Sequence, residues 1–98
     1  MNKQHPANNL CQTRIIISGL VQGVYYRAHT QQLSLNLGLV GYAKNLADGR
    51  VEVVAGGRKN NLKKLIEWCH HGPAAAQVDK VSWEWQPYDL TSNDFIVL

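Results

Sequence analysis

Gly19-Leu20-Val21-Gln22-Gly23-Val24-Tyr25-Tyr26-Arg27 leaves an apolar strand, turns, and starts a helix. The strand reads from Leu10 to Ser18 and stops at Gly19, and Gly23 permits the tight turn that follows. No proline from Val21 to Arg27 removes an N–H donor, so successive main-chain amides can form a nest against the positive end of the helix. Such a nest favours an anion of phosphate size and accommodates a carboxylate less completely. Gln22, Gly23, Val24, Tyr25, Tyr26 and Arg27 are the candidate donors, and Arg27 adds a guanidinium fork for two oxygens. A glycine-bearing turn between strand and helix is also an ordinary connection that commonly binds nothing. No Gly-Lys-Ser/Thr and no Gly-x-Gly-x-x-Gly is present, which sets aside the known nucleotide loops.

Beyond the turn, Tyr26, Thr30, Leu33 and Leu37 recur at i, i+4, i+7 and i+11 and draw one buried stripe on a helix ended by Gly38. Val40 to Leu46 then reads as a strand, Asp48-Gly49 as a turn, and Val51 to Ala55 as the returning strand, with Asn45 near the hairpin tip. Strand, helix, strand is a crossover whose two strands run the same way, so the C-terminal ends of both lie at one edge. Topology therefore brings Arg27 and Asn45 to one site beside the amide turn. Asparagine near a hairpin tip is by itself ordinary turn chemistry. Arginine at a helix start is not ordinary, because its charge meets the positive helix end unless an anion sits there.

The first strand alternates, with Cys11, Thr13, Ile15 and Ile17 on one face and Gln12, Arg14, Ile16 and Ser18 on a face expected to meet water. Leu62, Leu65, Ile66 and Cys69 form the buried stripe of a second helix closed by Gly72 and Pro73. Its other face carries Arg58, Lys59, Lys63 and Lys64 and reads as a solvated surface. A fourth strand spans Val78 to Trp85, with Val81, Trp83 and Trp85 on one face, and a short last strand spans Phe95 to Leu98. The order strand, helix, strand, strand, helix, strand is an α+β fold, the ferredoxin-like split βαβ sandwich (βαββαβ), with two helices on one face of a mostly antiparallel sheet.

A chain of 98 residues holds one core and buries about 60 to 65% of its unfolded surface. Residues 10–98 read as the domain and 1–9, polar and without an apolar run, as a flexible tail and not a signal peptide. No stretch approaches a membrane span, and the expected location is cytoplasmic. Ten basic against seven acidic residues leave a net charge of +3, enough to help attract small anions but too little to argue for nucleic acid. Cys11 and Cys69 form no Cys-x-x-Cys pair and are expected to be free thiols, though sequence leaves a disulfide open. His29, His70 and His71 gather no other ligands and receive no role.

Both central segments resemble the two signatures of the acylphosphatase family. Gly19, Val21, Gln22, Gly23, Val24, Tyr26 and Arg27 match the first, and Gly41, Tyr42, Ala43, Lys44, Asn45, Gly49, Val51 and Gly57 match the second. The resemblance runs from Cys11 to Leu98 and includes Gly72-Pro73; Ala74 departs where the family often has a second proline, which bears on turn stiffness. It implies the ferredoxin-like fold with its last strand at an edge, and hydrolysis of an acyl phosphate to a carboxylate and inorganic phosphate. Arg27 and Asn45 would be the catalytic residues, and Gln22 to Arg27 the phosphate-binding loop. Carboxylic acids have pKa values near 4, so the leaving group departs without a proton and the site needs no general acid. Asp48 is explained as a turn residue, and neither signature offers paired carboxylates for magnesium, so no metal and no cofactor are expected. The expected partners are a small acyl phosphate and, as competing anions, inorganic phosphate or sulfate, with no nucleic acid, no membrane and a monomeric chain. The same sandwich serves RNA-recognition modules, but the third strand here, Gly49 to Ala55, has no stacking aromatic and carries Glu52. A non-catalytic phosphate sensor, or a domain descended from a larger carbamoyl-phosphate-handling enzyme, are the other readings.

Overall fold

The computed structural model describes residues 10–98; the expected tail, 1–9, lies outside the described residues. Its elements are β1 (Leu10–Leu20), α1 (Tyr26–Asn36), β2 (Val40–Asn45), β3 (Val51–Arg58), α2 (Lys59–Cys69), β4 (Gln77–Gln86) and β5 (Phe95–Val97). They build one sheet in the order β4-β1-β3-β2-β5. β3 pairs antiparallel with both β1 and β2, so the two crossover strands run the same way with β3 between them. β5 adds in parallel to β2 as the edge strand.

The first strand runs past Gly19, contrary to the reading that ends it there. Pairing with β4 slips between Ser18 and Gly19, and Gly19 adopts φ +128° at this bulge. A Cβ at Gly19 would land on the carbonyl of Gln77, so glycine is required here by the close approach of two main chains.

One face of the sheet carries the core. Thr13, Ile15 and Ile17 of β1, Val51, Val53 and Ala55 of β3 and Ala43 of β2 are fully buried there, under Leu62, Leu65, Ile66 and Cys69 of α2. On α1 the buried stripe is Tyr26, Thr30 and Ser34, with the expected Leu33 and Leu37 only partly covered. The small Thr30 can sit against the sheet because its hydroxyl donates to the Tyr26 carbonyl at 2.8 Å. Trp83 and Trp85 share this face but lie on an edge strand and stay half-exposed, Trp83 edge-on to His70 and Trp85 beneath Lys59.

The opposite face is drier than its alternation suggests. Gln12 and Ile16 are both buried, and the segment joining β4 to β5, which lie at opposite edges, packs onto this face at Gln12 and Gly56. Gln12 donates to Gln86 Oε1 and accepts from the Asp89 N–H, each at 3.0 Å, while Tyr88 and Leu90 close over Gly56. Glu52, also buried, receives Arg14 Nε at 2.6 Å and the Tyr42 hydroxyl at 3.2 Å, which satisfies its charge. Cys11 and Cys69 are free thiols.

Candidate active site

Residues 21–25 leave β1 and enter α1 with no side-chain cap and no acidic residue in the first helical turn. Helix starts normally satisfy their orphan amides through a cap. Here the main-chain N–H groups of residues 22–27 find no acceptor among the described residues. Gly23 takes φ +77° with open space where a Cβ would project. Tyr25 takes φ +64°, a left-handed conformation that costs a side-chain-bearing residue about 1 to 3 kcal/mol. Its carbonyl is held by the His29 N–H at 3.1 Å and by His29 Nδ1 at 2.9 Å, a contact that requires the Nδ1–H tautomer. That gives His29 a structural use which its sequence context did not disclose.

The cradle is anchored from below by Tyr26. Its ring is buried against Trp68, centroids 5.3 Å apart, and its hydroxyl donates to the Cys69 carbonyl at 2.7 Å. Burial, and secondarily Cys69, pushes the Tyr26 hydroxyl well above the ordinary phenol value; burial also pushes the Cys69 thiol up to about 12. Tyr26 is therefore a neutral packing residue whose amide alone faces the candidate chemistry.

Val21, Gly23, residues 25–28 and Val97 line an open cavity of about 320 Å³. Arg27 stands in its wall, and its Nη1 donates to the Leu98 carbonyl at 2.7 Å. The guanidinium has five N–H donors, so this single tether leaves a fork for an anion. A larger groove of about 560 Å³ lies elsewhere, between α2 and β4, and shares no residue with the cradle.

Asn45 closes β2 at the same end of the sheet, paired across to Val51. It does not line the cavity, but hydrogen bonds bracket it to the cradle on both sides. On one side Leu98 donates to the Ala43 carbonyl at 2.9 Å and accepts from Arg27; on the other, the Gln22 side chain reaches the Leu46 carbonyl at 2.8 Å. Asn45 Oδ1 is buried and finds no hydrogen-bond partner among the described residues. Asp48 keeps to its turn, accepting from the main-chain N–H and Nε of Arg50; the former contact in particular holds its carboxyl below the usual carboxylate value. Among the described residues no group of His, Cys, Asp and Glu gathers in a way that could hold a metal ion.

Two features escaped the sequence. Val97 and Leu98 contribute to the site only because β5 adds beside β2, and no local pattern announces that neighbour. The side chain of Gln22 likewise leaves no periodic trace, since its partners are carbonyls.

The Acylphosphatase family model matches residues 13–97. The chain belongs to the acylphosphatase family. An acylphosphatase of Marinobacter nauticus is 52% identical over 81 residues, 83% of this chain and 88% of its own length. One from Halorhodospira halophila is 53% identical over 73 residues, covering 74% and 79% respectively. Among solved structures, an acylphosphatase from Coxiella burnetii superposes with a TM-score of 0.89 at 35% identity, covering 98% of this chain and all of its own. The acylphosphatase likeness thus takes in the cradle, the hairpin and the edge strand together.

Proposed function

We propose that this chain hydrolyses acyl phosphates, splitting the carboxyl-phosphate bond into a carboxylate and inorganic phosphate without metal or cofactor. The observation that carries this reading is the row of main-chain N–H groups from Gln22 to Arg27 with no acceptor among the described residues, beside a guanidinium tethered through one nitrogen. In this reading the amides and Arg27 hold the phosphoryl oxygens as charge shifts onto them, which is what phosphoryl transfer chiefly requires of an enzyme. Asn45 Oδ1 accepts a hydrogen from the attacking water and aims its oxygen at phosphorus, opposite the acyl oxygen. The new P–O bond forms as the acyl P–O bond breaks, and the electron pair leaves with the carboxylate, which is a weak enough base to depart unprotonated. The water's proton passes to a phosphoryl oxygen.

Every group in this scheme comes from one chain, which supports action as a monomer. We assign the activity to the cytoplasm as part of the same proposal. The test is turnover of benzoyl phosphate in EDTA, with inorganic phosphate and sulfate as competitive inhibitors. Arg27→Ala is expected to weaken phosphate binding and to lower turnover by about a hundred- to a thousandfold. Turnover that needs added metal, or salt-sensitive binding of single-stranded RNA with no turnover, overturns the proposal.

A further inference from the structure

Gln22 enters the cradle through its main-chain N–H, yet its side chain points to the other half of the site. Nε2 donates to the Leu46 carbonyl at 2.8 Å and to the Arg50 carbonyl at 3.0 Å. These carbonyls sit on the two sides of the β2–β3 turn, where the Leu46 N–H also donates to Arg50 at 2.8 Å. One amide group thus spends both its hydrogens on the foot of a single hairpin, at the residue next to Asn45. We propose that the Gln22 carboxamide is a positioning residue for Asn45, a latch that fixes the water-orienting amide relative to the phosphate cradle. This rests on the acyl-phosphate reading above.

The geometry gives the latch a specific task. Asn45 is the last residue of its strand, and the turn beyond it is closed by main-chain bonds of Leu46 with Arg50 and Gly49 and by the exposed Asp48–Arg50 pair. The tie on its other flank runs through Leu98 to Arg27, a residue whose guanidinium must also serve the anion. The Gln22 tie carries no such second duty. Side-chain chemistry is also restrictive: asparagine is one methylene too short, glutamate offers acceptors to two acceptors, and methionine keeps the shape but donates nothing. In-line attack is sensitive to placement, since a shift of about 1 Å can cost about a hundredfold in rate. A plain stability staple would instead leave the chemical step of the folded enzyme untouched.

The experiment compares wild type, Gln22→Met and Gln22→Glu on benzoyl phosphate, with the inhibition constant of inorganic phosphate measured on each. For Gln22→Met, kcat should fall about ten- to a hundredfold while phosphate inhibition shifts by less than about threefold, because the cradle amides belong to the main chain. For Gln22→Glu, the ionised carboxylate repels both carbonyls, and protonation restores one donor. Its kcat relative to wild type should therefore climb as pH is lowered toward about 5. A kcat for Gln22→Met within about threefold of wild type, or phosphate inhibition weakening in step with kcat, overturns the latch. So does a Gln22→Glu profile parallel to wild type. Wild type that fails to turn over benzoyl phosphate sinks the acyl-phosphate reading; the tie itself is then judged by amide hydrogen exchange at Leu46 and Gly49. Faster exchange in Gln22→Met supports the latch and equal exchange overturns it.

Discussion

Asn45 shows how much one side chain can carry. A buried acceptor without a partner costs about 1 to 3 kcal/mol, and Asn45 Oδ1 sits in that condition a few atoms from two independent ties to the cradle. Asn45→Ala should lower kcat by about a hundred- to a thousandfold, leave inhibition by inorganic phosphate nearly unchanged, and leave the denaturation midpoint equal or higher. Equal losses in kcat and phosphate affinity would instead put Asn45 among the phosphate ligands. That Arg27 and Asn45 lie at one end of the sheet was legible before any coordinates, because the crossover puts the ends of two strands together whatever their side chains do. Leu98 and the carboxamide of Gln22 were not, because a bond to a main-chain carbonyl selects no residue type at the acceptor.

Secondary elements were read correctly in kind and order, and the errors fell where tertiary contacts override local grammar. Gly19 looked like a stop because glycine weakens strands, but the structure uses it to let β4 approach at the bulge. Gly19→Ala should therefore destabilise the fold by about 2 to 4 kcal/mol, measured by urea denaturation, whereas a mere strand terminator would tolerate alanine with a change under about 1 kcal/mol. Gln12 and Ile16 were assigned to water because alternation sees only their own strand, and the segment that covers Gln12 comes from far downstream, as the Gln12–Asp89 bond shows with a separation of 77. Ala74, where a second proline is commonly found in the family, lies in a turn closed by the Ala76 N–H on the Pro73 carbonyl at 2.9 Å.

At the scale of the whole molecule, the core contains two groups that resist ionisation. The Cys69 thiol rises from 9.0 to about 12, and Tyr26 is displaced upward from 10.0, both chiefly by burial. The unfolded chain releases these protons at lower pH than the folded one, so their contribution is complete below about pH 9 and is lost as pH climbs toward about 12. The urea midpoint should be lower at about pH 10.5 than at about pH 8, and Tyr26→Phe should flatten part of that slope. Identical midpoints at the two values would mean the two groups are not sequestered as described. The bond between Arg27 and Leu98 joins positions 71 apart, the longest reach of any tie to the cradle. Local turns and hairpins close in microseconds, whereas a contact of this span must close a far longer loop. The loop and the asparagine hairpin can thus form during refolding before the guanidinium is steadied. If Arg27 acts as proposed, the return of activity during refolding should therefore report that β5 has docked beside β2.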